Sequence, residues 1–149
     1  MANANPMQLA LSQARSAAVR GEVPVGAVVV DAAGRAIAAD GNRTRELNDP
    51  TAHAEMLAIR AACRILGTER LVDCDLYVTL EPCPMCAAAI SFARIRRLYF
   101  GASDQKSGGV EHGPRVFNHP TCHHAPEIYG GIGENEAAAL LSEFFSDLR

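Results

Sequence analysis

Two short motifs stand at the predicted starts of two successive helices. The first is His53-Ala54-Glu55, and the second is Pro82-Cys83-Pro84-Met85-Cys86. Cysteines three positions apart on a first helical turn lie on the same face, so both sulfurs can reach one metal ion. A helix N-terminus also favours the thiolate form that zinc requires. We therefore expect a fold in which these two helix starts meet around a metal ion.

The motifs belong to a chain in which β-rich segments alternate with helical ones. Helical spacing and start signals predict four helices: from Asn5-Pro6 to a stop at Gly21, from Asp49-Pro50-Thr51 to a stop at Gly67, and over residues 85–93 and 134–148. Strands are predicted at residues 23–31, 35–40, 76–80, 95–101 and near 127–129. This alternation predicts an α/β domain with helices on both faces of one sheet. The early hairpin makes that sheet mixed.

The composition suits one such domain, spanning residues 1–149. With 48% hydrophobic and 21% charged residues and a net charge of −3, disorder is not expected. No apolar run approaches the roughly 18 residues of a membrane span, and no secretory signal is apparent. The five cysteines are odd in number and irregularly spaced, which argues against a disulfide framework. We therefore expect a cytoplasmic protein that does not contact a membrane.

The net negative charge of the chain limits how it could bind nucleic acid. Indiscriminate nucleic-acid binding needs an excess of positive charge, which this chain lacks. A local basic patch that fits one particular RNA remains compatible with the composition.

The residue types of the two motifs suit a catalytic metal better than a structural one. One histidine and two thiolates bring a charge of −2 to Zn²⁺ and leave its fourth position open, whereas structural zinc takes four protein ligands. Glu55 lies two residues from His53, so the two side chains do not share a helix face. A carboxylate beside the metal can take a proton from the attacking water and hand it on. The residues predict one Zn²⁺ per chain, with His53, Cys83 and Cys86 as ligands and Glu55 as the proton carrier.

His-x-Glu followed by Pro-Cys-x-x-Cys resembles the signature of the zinc-dependent cytidine and nucleoside deaminase superfamily. Longer blocks are similar to the family of bacterial tRNA-specific adenosine deaminases, in order along nearly the whole chain. These blocks are residues 22–27, 42–43, 49–55, 76–83, 94–95, 100–102, 104, 139–142 and 144–145.

The resemblance implies both a fold and a reaction. It implies a three-layer α/β/α cytidine-deaminase-like fold with a five-stranded sheet, and a homodimer. It also implies hydrolysis of the wobble adenosine of a tRNA anticodon to inosine, with release of ammonia. The zinc ligands and proton shuttle of the family match His53, Cys83, Cys86 and Glu55. The substrate-binding residues implied in the same way are Asn42, Ala54, Asp104 and Lys106.

The implied partner is a tRNA anticodon stem-loop, because its unpaired bases can be splayed out for chemistry. Basic residues that flank the motifs are expected to supply phosphate contacts: Arg43, Arg45, Lys106 and Arg115. The small residues at 87–90 would allow a second copy to approach closely.

Two other functions remain open at this point. The same zinc chemistry could act on a free nucleobase or nucleoside of the cytosine, guanine or adenosine type. A zinc module that binds RNA without catalysis is the non-enzymatic alternative. Glu55 argues against the latter, because a structural site has no use for a carboxylate beside an open metal.

Overall fold

The computed structural model describes residues 5–148, which form a five-stranded sheet between two layers of helices. In chain order the elements are α1 (Pro6–Val19), β1 (Gly26–Val30), β2 (Ala36–Gly41), α2 (Ala54–Leu66), β3 (Asp75–Leu80), α3 (Pro84–Ala93), β4 (Arg97–Ala102), a short 3-10 helix (Val116–Asn118), β5 (Glu127–Tyr129) and α4 (Glu134–Asp147). The predicted three-layer α/β class is confirmed.

The sheet is mixed, as the early hairpin predicts. Its strand order is β2-β1-β3-β4-β5. β1 runs antiparallel to both of its neighbours, whereas β3, β4 and β5 are parallel to one another. Because parallel strands end at the same edge of a sheet, the loops that follow β3 and β4 are brought together.

The side chains of β1 pack alternately on the two faces of the sheet. Ala27 and Val29 belong to the core under α2 and α3, whereas Val28 and Val30 pack with residues of α1 and α4. Successive side chains of a strand point to opposite faces, so one strand supplies both cores. α2 contributes a stripe of small residues at helical spacing: Ala54, Ala58 and Ala62.

The start of α2 differs from its prediction. Asp49 does not open a helix, because its carboxylate accepts hydrogen bonds from the Thr51 backbone N–H at 2.9 Å and from the Thr51 hydroxyl at 2.7 Å. This local turn competes with the helix, as short polar side chains often do. The helix begins at Ala54 instead, and His53 becomes its N-cap residue. By contrast, the Asn5 side chain caps α1 as predicted, accepting the Met7 N–H at 2.9 Å.

Two smaller points complete the fold. β1 begins at Gly26 and not at residue 23, since Val25 N–H bonds locally to Val23 O. Within residues 5–148, no helix combines the length and apolar character needed to cross a bilayer.

Candidate metal centre and substrate cavity

Three potential metal ligands meet where α2 and α3 begin. His53 is the N-cap residue of α2, Cys83 is the N-cap residue of α3, and Cys86 lies in the first turn of α3. His53 Nδ1 is 3.6 Å from Cys83 Sγ and 3.5 Å from Cys86 Sγ. All three donor atoms lie within 4.8 Å of one another. The fold therefore brings together the three side chains that the sequence singles out.

These distances suit zinc. With zinc–nitrogen bonds of about 2.0 Å and zinc–sulfur bonds of about 2.3 Å, tetrahedral geometry separates nitrogen from sulfur by about 3.5 Å. Both observed nitrogen–sulfur distances are close to that value. One imidazole and two thiols are also a donor set that zinc prefers. The residues present fit a single Zn²⁺ ion.

The electrostatics of the two cysteines favour a thiolate before any metal is considered. A hydrogen bond from the Cys86 thiol, assisted by His53, lowers the pKa of Cys83 to about 4 despite burial. The same contact and burial raise the pKa of Cys86. The shared hydrogen bond therefore favours the thiolate at Cys83 and the proton at Cys86.

Glu55 lies in the first turn of α2 beside these donors. Its side chain is buried, with 4% of the residue exposed. Burial, together with the negative charge of Cys83, raises the pKa of Glu55 to about 7, although its backbone N–H and His53 oppose the shift. A carboxyl group with such a pKa can both accept and release a proton near neutral pH.

A cavity of ≈ 210 Å³ adjoins the donors. Its walls come from the end of β2, the starts of α2 and α3, and the loop after β4. They are formed by Val23, Val25, Asn42, His53, Glu55, Leu80, Glu81, Cys83, Asp104 and Ser107. The cavity adjoins a wider groove of ≈ 630 Å³, with which it shares Val23, Leu80, Asp104 and Ser107.

Of the four residues expected to bind substrate, Asn42 and Asp104 line the cavity. Lys106 lines the wider groove instead, and Ala54 is fully buried and outside the cavity lining. Ala54 contributes through its backbone, since its N–H donates to Asn42 Oδ1 at 2.8 Å. That bond leaves the Nδ2 of Asn42 as the group able to face a ligand.

The Asp104 carboxylate is engaged in its own loop. It accepts hydrogen bonds from the backbone N–H groups of Lys106 at 3.1 Å and Ser107 at 2.9 Å. Its side chain therefore shapes the turn that separates the cavity from the groove.

The basic residues predicted to contact phosphate differ in how free their charges are. Arg43 is ion-paired with Asp40 at 2.8 Å and with Glu46 at 2.7 Å. Arg115 Nε donates to the Glu111 carbonyl at 3.0 Å, whereas Arg45 and Lys106 are exposed. The charge of Arg43 is thus already balanced within the chain.

Two buried carboxylates at the site were missed by sequence reasoning. Glu22 accepts the backbone N–H groups of Arg45 and Glu46, in the loop that follows Asn42. Glu81 accepts several backbone N–H groups of the loop after β4. For both residues burial opposes ionisation, but the hydrogen bonds together outweigh it and lower the pKa. The position of Glu81, directly before the cysteine motif, is the one signal in the sequence that could have drawn attention to it.

Comparisons with known proteins agree with this geometry. Residues 2–102 match the cytidine and deoxycytidylate deaminase zinc-binding region. The chain is 65% identical to the tRNA-specific adenosine deaminase of Agrobacterium fabrum over 143 residues, covering 96% of this chain and 93% of that protein. It is 50% identical to the tRNA-specific adenosine deaminase of Rickettsia bellii, covering 96% of this chain and 99% of that one.

Solved structures of deaminases match this fold. A structure from a study of A-to-I editing by tRNA:A34 deaminases at the wobble position matches with a TM-score of 0.90 and 66% identity, covering 91% of this chain and 98% of that one. A guanine deaminase from Nitrosomonas europaea matches with a TM-score of 0.79 and 25% identity, covering 98% of this chain and 87% of that one.

Proposed function

Because the chain belongs to the cytidine and deoxycytidylate deaminase family, among the tRNA-specific adenosine deaminases, we propose that it converts the wobble adenosine of a tRNA anticodon to inosine. The reaction consumes one water and releases one ammonia. The observation that carries the proposal is the meeting of a His/Cys/Cys donor set and a buried carboxyl group, Glu55, in one cavity. That combination is what hydrolytic deamination of a base requires.

The site residues divide the work between them. His53, Cys83 and Cys86 would hold Zn²⁺, which when bound supplies a Lewis acid that activates water at neutral pH. Glu55 takes the proton from the attacking water, delivers it to the ring nitrogen of the base and then assists departure of the amine. Asn42 donates from Nδ2 to the nucleoside, with its orientation set by the Ala54 backbone.

The cavity and groove together favour a nucleotide chain over a free base as substrate. The cavity of ≈ 210 Å³ has room for a base, and the adjoining groove of ≈ 630 Å³ offers space beyond it for neighbouring nucleotides. A deaminase of free bases needs no such extension. Deamination of a free base is the second candidate function, because guanine deaminases are among the structural neighbours. The substrate test below distinguishes it from deamination of tRNA.

The test is to incubate purified protein separately with adenosine, cytidine, guanine and a transcribed anticodon stem-loop. We expect inosine and ammonia from the stem-loop and little product from the free compounds. Product from a free base or nucleoside, with none from the stem-loop, would mean that the protein is a deaminase of small molecules. RNA binding without any product would indicate the non-catalytic zinc module.

We also propose that two copies associate through the outer face of α3. Ala87 and Ile90 are buried in the chain's own core, so only part of the small-residue run is free for this role. Ala88 and Phe92 are one helical turn apart, and both border a groove of ≈ 300 Å³. Phe92 is 78% exposed, and such an exposed aromatic side chain beside a groove is typical of an interface.

Sedimentation at micromolar concentration tests the dimer. We expect the wild type to sediment as a dimer and Phe92→Lys as a monomer. Val19→Lys, at another strongly exposed apolar position on α1, is the matched control and should leave the mass unchanged.

We further propose a single domain over residues 1–149 that works in the cytoplasm. The two cores share one sheet, so the expected unfolding is one cooperative transition. None of the five cysteines, all of which lie within the described residues, forms a disulfide, which suits a reducing compartment.

A further inference from the structure

One carboxylate holds the loop that closes the substrate cavity on the β4 side. Glu81 follows β3 directly, and its side chain has no exposed surface. Its Oε1 accepts the Asp104 N–H at 3.0 Å. Its Oε2 accepts the N–H groups of Val110 at 3.2 Å, Glu111 at 3.0 Å and His112 at 3.1 Å. Both ends of the loop 104–112 therefore converge on a single side chain.

His112 adds a side-chain contact to this arrangement. Its Nδ1 donates to Glu81 Oε1 at 2.7 Å, and the direction follows because an ionised carboxylate can only accept. The side chain of His112 is 30% exposed, so this contact lies between the buried carboxylate and the protein surface. Charge-assisted hydrogen bonds of this kind are stronger than neutral ones.

The loop also rests directly on the backbone of the cysteine motif. Gly109 N–H donates to Pro82 O at 2.8 Å. A Cβ at Gly109 would lie 2.6 Å from Pro84 N, and one at Gly108 would lie 2.4 Å from Glu81 Oε2. Glycine at these positions permits the close approach. The loop thus packs so closely against Glu81 and the start of α3 that a side chain at either glycine would not fit.

From these contacts we propose that Glu81 and His112 are positioning residues that fix the cavity wall formed by Asp104 and Ser107, and that they act on substrate binding and not on metal binding. The proposal rests on the proposed function, because it assigns the wall to the substrate of that reaction. Asp104 and Ser107 border both the cavity and the groove, so this wall is where the target nucleoside and its neighbour diverge.

The division between substrate and metal follows from what each group contacts. The hydrogen bonds to the Glu81 carboxylate come from the loop and from His112. The metal donors are carried instead by the starts of α2 and α3. The Gly109 contact with Pro82 does not involve the Glu81 side chain, so loosening the rest of the loop should move Asp104 and Ser107 while leaving the donor set in place.

The test compares His112→Leu with His112→Asn. Leucine removes the donor to Glu81, whereas the asparagine amide can restore one near the position of Nδ1. With an anticodon stem-loop as substrate, we expect KM to rise about tenfold in His112→Leu, the scale of one lost hydrogen bond between the wall and the substrate. We expect kcat per bound zinc to change less than about threefold, because the chemical groups are untouched. His112→Asn should recover most of the KM.

A second measurement does not depend on activity. Amide hydrogen exchange in His112→Leu and Glu81→Gln should accelerate at Asp104, Val110 and Glu111, whose N–H groups Glu81 accepts. Asp31→Asn is the control, because Asp31 also holds backbone N–H groups but at the β1–β2 turn. It should leave exchange in the loop and KM unchanged.

The outcomes separate the two proposals. A wild type that binds zinc but deaminates no stem-loop would overturn the proposed function, while the exchange result would still decide whether Glu81 and His112 position the loop. Zinc loss in His112→Leu, a fall in kcat at constant KM, or unchanged exchange at all three amides would each overturn the positioning role.

Discussion

The side-chain oxygen of Asn42 accepts a hydrogen bond from the backbone N–H of Ala54 at 2.8 Å. This bond connects the residue after β2 to the first residue of α2, beside the metal donors. It uses the acceptor of the amide and leaves the donor, Nδ2, for a ligand. It also supplies a partner for one of the N–H groups that a helix start leaves unpaired.

Asn42→Asp separates these two roles. The aspartate keeps an acceptor for Ala54 but offers no donor and adds a negative charge near Glu55. We expect kcat/KM on the stem-loop to fall by about one to two powers of ten, the scale of a lost buried hydrogen bond to a polar substrate group. Thermal denaturation should show that Asn42→Ala, which also leaves the Ala54 N–H unpaired, is less stable than Asn42→Asp. Equal kcat/KM in wild type and Asn42→Asp would remove Asn42 from substrate recognition.

Glu55→Gln should abolish proton transfer while preserving shape. We expect turnover to fall by about two to four powers of ten, the usual contribution of a positioned acid–base group. Zinc content and melting temperature should stay near wild type, since glutamine fills the same space. Inosine formation, measured with metal analysis on the same preparation, checks this. Near-normal turnover would mean that another group moves the proton.

Cys83→Ser should lose the metal. Removing one of three protein ligands weakens binding, and because the metal would join the starts of α2 and α3, the apo protein should also unfold at lower temperature. Cys63→Ser is the matched control, since Cys63 is a free, partly buried cysteine outside the donor set. Zinc per chain and melting temperature are the measurements. Full zinc content in Cys83→Ser would contradict the ligand assignment.

The donor set could be predicted from sequence because its logic is local. Cys83 and Cys86 lie within one helical turn, and His53 and Glu55 within another, so residue type and spacing indicated the chemistry. Only their meeting required the fold. The start of α2 was predicted wrongly for a local reason as well, because the Asp49 turn and a helix start use the same kind of side chain.

The loop around Glu81 shows what sequence could not supply. Its hydrogen-bond partners lie 23 residues away at Asp104 and up to 31 residues away at His112. No periodicity connects such positions, and the place of Glu81 directly before the cysteine motif does not indicate which residues it contacts. Ala54 was expected to bind substrate as part of its motif. In the structure its backbone N–H binds Asn42, and this contact depends on where β2 ends.

Stability on the acid side should depend on Glu22. Hydrogen bonds from the loop at residues 44–46 outweigh burial and lower its pKa below the ordinary value of 4.5. The unfolded chain then binds more protons than the folded one in this range, so stability rises with pH. The contribution is complete above the unfolded pKa and is lost as pH falls through the lower folded value.

Glu22→Gln tests this linkage. We expect it to cost about 1–3 kcal/mol in the free energy of unfolding at neutral pH, the cost of weakening buried hydrogen bonds. Between pH 6 and pH 3 the stability curve of Glu22→Gln should be flatter than that of the wild type, as measured by urea unfolding at each pH. Parallel curves down to pH 3 would show that the Glu22 pKa is not lowered by folding.

The salt dependence of RNA binding should distinguish Lys106 from Arg43. Lys106 is exposed and lines the groove beside the cavity, so its charge is available to a phosphate. Arg43 is ion-paired with Asp40 and Glu46, so its positive charge is already neutralised within the chain and is not available to a phosphate. Each phosphate contact to single-stranded RNA contributes about 0.7 to the slope of log K against log salt concentration.

We therefore expect Lys106→Ala to reduce that slope by about 0.7, the equivalent of one phosphate, and Arg43→Ala to leave it nearly unchanged. Asn42→Ala serves as a second comparison, because a group that contacts the nucleoside affects turnover more than the salt slope. Fluorescence anisotropy of a labelled stem-loop at several salt concentrations gives the slopes, and inosine formation is followed in parallel. A larger slope change in Arg43→Ala than in Lys106→Ala would mean that RNA displaces Asp40 or Glu46 from Arg43, and that its ion pairs open on binding.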